Sequence, residues 1–145
     1  MPSAFSWPVL VPSALRAPAP VNLGVRPLFR HSMLNRSALI VRPAEPYLKW
    51  ARSLDDSGIE PDPQDEQTVY LIPPVELPED EQAVLKAVFK EVFARELFAW
   101  HTDEAQWPKR RTYKMFCEWF KIEIHTIVED LCSVAIYDDE FDEHQ

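Results

Sequence analysis

With 145 residues, 46% of them hydrophobic and 27% charged, the chain has the length and balance of one ordinary globular domain. Its net charge of −9 disfavours generic binding to nucleic acid or to anionic membranes, since counterion release needs clustered cations. No apolar run approaches the roughly 18 residues needed to span a bilayer, so an integral membrane protein is not expected.

Residues 1–32 differ in composition from everything that follows. They hold six prolines and no acidic residue, and their basic residues are Arg16, Arg26 and Arg30. No basic region precedes Phe5 and prolines interrupt the apolar part, which argues against a secretory signal; an Arg- and Ser-bearing, acid-poor leader could still mimic a transit peptide. The reading adopted is a disordered extension, or a native start at Met33, followed by a single domain over 33–134 and an acidic tail over 135–145.

Residues 37–41, SALIV, are a β-branched and aliphatic run closed by Arg42 and Pro43, and read as a buried strand. Tyr47, Leu48, Ala51 and Leu54 then recur at helical spacing, with Pro43 and Pro46 tolerable in a first turn, so a short helix is expected to stop before Asp55. Residues 55–67, DDSGIEPDPQDEQ, form a solvated acidic loop. Residues 68–72, TVYLI, are the second strand, ended by Pro73 and Pro74. The spacing between the strands is long enough for a parallel crossover, which would be right-handed if they pair directly.

Pro78 opens the next helix, with Glu79, Asp80 and Glu81 at the positive end of its dipole. Val84, Leu85, Val88, Phe89, Val92, Phe93 and Trp100 line its buried side, and Glu91 and Arg95 form an exposed i, i+4 pair. Glu96 breaks the pattern, because its direction lies within the apolar arc, where an unpaired carboxylate is costly. The expected partner is Arg110 or Arg111 across the following turn.

Residues 107–132, WPKRRTYKMFCEWFKIEIHTIVEDLC, carry the longest helical pattern in the chain. At 100° per residue, Tyr113, Phe116, Cys117, Phe120, Ile124, Ile127, Val128 and Leu131 share one face, read as core-facing. Met115, Trp119 and Ile122 form a second apolar strip nearly opposite, which is either sandwiched by the chain or a partner-binding surface. Fifteen positions of continuous helix would hold Cys117 and Cys132 about 22 Å apart, too far for a disulfide, and a reduced cytosolic setting fits best. Cys117 reads as a small core hydrophobe rather than a nucleophile. His125 and Glu129, four apart on a polar flank, read as a surface pair.

Taken together, the pattern predicts an α+β domain: a small two-stranded sheet covered by a short helix and a long antiparallel helical hairpin. The blocks LNRSALIVRPAEPYLKW, TVYLIPP and WPKRRTYKMFCEWF resemble, in that order, a family of small uncharacterised bacterial proteins, with the resemblance spanning residues 34–132. It implies a start near Met33 and a bacterial cytosolic setting, and carries no activity, ligand or catalytic residue with it.

Chemistry is sparse in this sequence. No CxxC, HExxH or ExxH motif is present, so no metal site is expected, and two glycines leave no phosphate loop or dinucleotide fingerprint, so no cofactor is expected. Lys109, Arg110 and Arg111 would stand in a first helical turn, unfavourably against the dipole, and with Glu96 and the stacking surface of Trp107 form a candidate anion or ion-pair cluster. The function expected is a non-catalytic protein-binding or regulatory module, its partner another protein or a second copy. One alternative is an enzyme with Glu96, Arg110, Arg111 and His125 around a cleft near Trp107. A second is an anion or nucleic-acid contact through Lys109, Arg110 and Arg111.

Overall fold

A computed structural model describes residues 33–54, 57–59, 61–62 and 67–137. The expected extension over 1–32, much of the acidic loop and the tail from 138 onward lie outside the described residues. Residues up to Asp130 form one compact unit, and residues 131–137 fall in another, where they form no helix or strand.

Among the described residues the sheet has three strands, all antiparallel, with the first strand in the centre. They are β1 (Ser37–Pro43), β2 (Val69–Ile72) and β3 (Phe120–His125). Leu39 faces Tyr70 on one side and Ile124 on the other, and Val41 faces Ile122. Strand alternation therefore sends Leu39, Val41, Tyr70, Ile72, Phe120, Ile122 and Ile124 to one face, where they meet the core. Ile40, Val69 and Leu71 share the other face with Arg42, Lys121, Glu123 and His125, and Val69 and Leu71 are exposed there.

Among the described residues three helices cover the inner face. The first, α1 (Glu45–Arg52), has Pro46 in its opening turn, Glu45 at its positive end and Lys49 and Arg52 at its negative end, and buries Tyr47, Leu48 and Ala51. The long helix α2 (Glu81–Trp100) follows a three-ten turn at Pro78–Asp80, in which the Asp80 carboxylate accepts the Leu77 amide at 3.3 Å. It buries Leu85, Phe89, Val92, Phe93 and Leu97, a single apolar stripe. The last, α3 (Tyr113–Trp119), is capped by the Thr112 hydroxyl, which accepts the Met115 amide at 3.2 Å. Phe93 and Phe116 are fully buried, 5.9 Å apart, and with Phe89, Phe120 and Tyr47 they form a chain of tilted and edge-on rings through the core.

The α+β class holds, with one strand more than expected. The helix expected over 107–132 is a seven-residue helix followed directly by a six-residue strand. Phe120, Ile122 and Ile124 alternate with Lys121, Glu123 and His125, a period of two that pairing with β1 fixes. Consequently Ile127 and Leu131, assigned to a helical core face, are 68% and 62% exposed. Cys117 is also exposed, on the solvent side of α3, and is not a core residue. The crossover considered for the first two strands is absent: they pair antiparallel, because the connection through α1 leaves and re-enters the sheet at the same end, where Ile40 faces Val69.

The end of β1 meets the start of β3, with Pro43 opposite Phe120, and the Ala44 amide donates to the Trp119 carbonyl at 2.8 Å. The start of the helix that leaves β1 and the end of the helix that enters β3 thus meet at one corner of the sheet. That corner places the aromatic residues of α1 and α3 side by side.

Candidate functional sites

The aromatic corner forms the first candidate site. Trp50 of α1 and Trp119 of α3 lie 6.0 Å apart between ring centroids, and Trp119 also meets Tyr47 at 6.3 Å and Phe93 at 5.6 Å. Pro46, Lys49, Trp50, Ser53, Gln106, Trp107, Pro108 and Trp119 line a shallow groove of about 430 Å³ over this corner. The indole of Trp50 donates to the Gln106 carbonyl at 3.1 Å and that of Trp107 to the His101 carbonyl at 2.7 Å, so both are held in place by backbone.

Met115, Trp119 and Ile122 do not share one helix. The helix ends between Trp119 and Phe120, so Met115 lies on a helix and Ile122 on a strand, and all three are half-buried against the core. Trp119 alone of the three lines the groove.

The basic cluster precedes the Thr112 cap rather than occupying the first turn of α3, which removes the expected conflict with the helix dipole. Arg111 lies over the Trp107 ring at 5.6 Å and donates to the Pro108 carbonyl at 3.0 Å. Lys109 and Arg110 are exposed. None of the three pairs with Glu96.

Glu96 instead accepts a hydrogen bond from the Tyr70 hydroxyl at 2.6 Å, while the Tyr47 hydroxyl donates to its backbone carbonyl at 2.9 Å. Burial pushes the Glu96 carboxyl above its ordinary value, and the Tyr70 hydrogen bond opposes that shift. Burial, with the Glu96 carboxylate adding to it, pushes both tyrosines upward, which keeps them hydroxyl donors. Beside this carboxyl lies a cavity of about 280 Å³ whose walls include Val41, Pro43, Tyr47, Thr68, Glu96 and Trp100. Neither Tyr47 nor Tyr70 was identified from sequence as a partner of Glu96.

His125 sits on the far face of the sheet with its Nε2 2.7 Å from a Glu123 oxygen, and Arg42 donates to the other Glu123 oxygen at 2.6 Å. These two neighbours, Arg42 first, lower the Glu123 carboxyl from its ordinary value. The helical pairing of His125 with Glu129 is not formed, since residues two apart share a strand face. The cavities described bring no two of Glu96, Arg110, Arg111 and His125 together. Among the described residues no group of three His, Cys, Asp or Glu side chains is placed to hold a metal ion, and no helix is long and apolar enough to cross a membrane.

No known family, curated protein or solved structure matches this chain.

Proposed function

We propose that the domain is a non-catalytic protein-binding module that seats an acidic, proline-containing segment of a partner protein in the groove between Trp50, Trp107 and Trp119. The observation that carries this reading is the coincidence of indole rings and cations at one corner. Lys49 lines the groove, and Lys109, Arg110 and Arg111 follow directly on its Pro108 wall, in a chain whose net charge is −9. Aromatic-lined shallow grooves suit extended, proline-bearing segments, because such segments lose little conformational entropy on docking. The cations select acidic sequences and raise the association rate.

The test is a fluorescence titration of the full chain with acidic, neutral and basic sets of proline-containing 12-residue peptides. The expected result is selective, saturable binding of acidic peptides, with Kd values of about 1–100 μM, lost in a Lys49→Glu, Arg110→Glu variant of unchanged melting temperature. Binding that ignores peptide charge, or that survives both substitutions, would overturn the reading.

A further inference from the structure

We infer that the cavity beside Glu96 is a binding site for a small organic cation, a primary ammonium or guanidinium head on a short apolar stem. This site is separate from the indole groove and does not depend on how that groove is used. Glu96 stands about four-fifths of the way along α2, where the helix passes beneath α1 and β2, and hydroxyls from both of those elements fix it. The Tyr70 hydroxyl holds Oε1, and among the described residues Oε2 has no hydrogen-bond partner. A carboxylate can accept about four hydrogen bonds, so one bond at one oxygen leaves most of its capacity open.

The walls define the ligand. Glu96 supplies the half-buried charge on the framework side of the cavity and the exposed Asp62 a second carboxylate on its loop side, the rings of Tyr47 and Trp100 supply aromatic surface, and Val41, Pro43, Ile59 and Pro61 supply apolar lining. The Trp100 indole donates to the Ala51 carbonyl at 3.3 Å, which ties that ring to α1 rather than leaving it to rotate. A carboxylate facing aromatic and aliphatic surface is complementary to a cation carrying hydrocarbon: the head meets the oxygen with a charge-assisted hydrogen bond, and the rings attract the cation through their quadrupoles. An anion is disfavoured by the carboxylates of Glu96 and Asp62 and by the absence, among the described residues, of any Lys, Arg or His from the lining. A neutral ligand would leave the half-buried charge without a counter-charge. A volume of about 280 Å³ sits at the lower end for small-molecule sites and suits a head group with a stem of a few carbons.

The experiment is a nuclear magnetic resonance titration of the full chain with four probes: n-butylammonium, n-butylguanidinium, neutral n-butylurea and anionic butyrate. The reporter is the Trp100 indole N–H, whose resonance also shows whether the cavity wall is native. At least one of the two cations should give a saturable shift with a Kd of about 1 mM, while butylurea and butyrate give none in that range. Glu96→Gln, which preserves shape and can still accept from Tyr70, should weaken cation binding by about tenfold or more with the Trp100 resonance unmoved in the free protein. Tyr70→Phe serves as a second variant that keeps the charge, and should bind the cation. Equal responses to butylurea and the cations, no saturable response to either cation, or full binding by Glu96→Gln would each overturn the assignment.

Discussion

The Tyr70 hydroxyl and the Glu96 carboxylate, 2.6 Å apart, tie an edge strand of the sheet to the longest helix. The polar pair interrupts an otherwise apolar interface, and the tyrosine supplies a hydrogen bond without a counter-charge. Burial dominates as a result, and the carboxyl is shifted upward.

The contribution of Glu96 to stability should therefore fall as the pH rises through the acid range. The folded chain keeps the Glu96 proton above the ordinary carboxyl value of 4.5, over a window in which the unfolded chain has released it. Glu96→Gln removes that contribution while leaving an acceptor for Tyr70. Urea unfolding of both proteins at intervals from pH 4 to pH 8 should show the variant gaining on the parent as the pH rises, then holding its advantage. A constant difference across the range would show that Glu96 ionises alike in both states.

Ser37 is fully buried at the start of β1, and its hydroxyl oxygen accepts the Val75 amide at 2.9 Å. Ser37→Ala leaves that buried N–H without a partner and should cost about 1–3 kcal/mol. Ser37→Thr keeps the hydroxyl but adds a methyl group at a fully buried position, so it should fall between the parent and the alanine variant in denaturant midpoint.

Most elements were legible in the sequence because each shows one periodicity. SALIV and the last four residues of TVYLI became strands, the run after Pro46 became a short helix, and Leu85, Phe89, Val92 and Phe93 of the apolar stripe became the inner side of α2, joined there by Leu97, which the expected stripe does not include. Residues 113–125 were not legible as two elements, since Tyr113, Phe116, Phe120 and Ile124 satisfy a helical repeat while Phe120, Ile122 and Ile124 satisfy a strand repeat. Only the pairing with β1 decides between them. The available signal was the alternation of FKIEIH with its two β-branched residues. The partner of Glu96 was hidden for a related reason: Tyr70 points inward only once the register of β2 against β1 is set. The groove was hidden too, because Trp50 and Trp119 meet only through the shared corner of β1 and β3.

That alternation gives a direct test of β3. Ile124→Ala removes a half-buried contact on the core face, opposite Leu39, and should cost about 1–3 kcal/mol. Lys121→Ala, on the outer face, should change stability by no more than about 0.5 kcal/mol. In hydrogen exchange, the β3 amides that pair with β1 should be protected as a unit with it. Exchange over 120–125 as fast as that of exposed loop would contradict the pairing.

Trp119 belongs to the core and to the groove at once, which makes its two roles separable by substitution. Its ring touches Tyr47, Trp50 and Phe93, and its carbonyl accepts the Ala44 amide where α1 leaves the sheet. Trp119→Ala empties space against three aromatic neighbours and should destabilise the fold by about 2–4 kcal/mol, somewhat less than a fully buried tryptophan would cost. Trp119→Phe retains an aromatic face toward Phe93 and Tyr47 but shortens the ring on the groove side. It should recover most of the stability, lost and regained through packing alone, while binding of acidic peptides weakens about three- to thirtyfold, in line with about 1–2 kcal/mol of lost aromatic contact. Denaturant midpoints and peptide titrations on the same two variants separate the roles. If Trp119→Phe matches the parent in both, the indole is not a contact for the peptide.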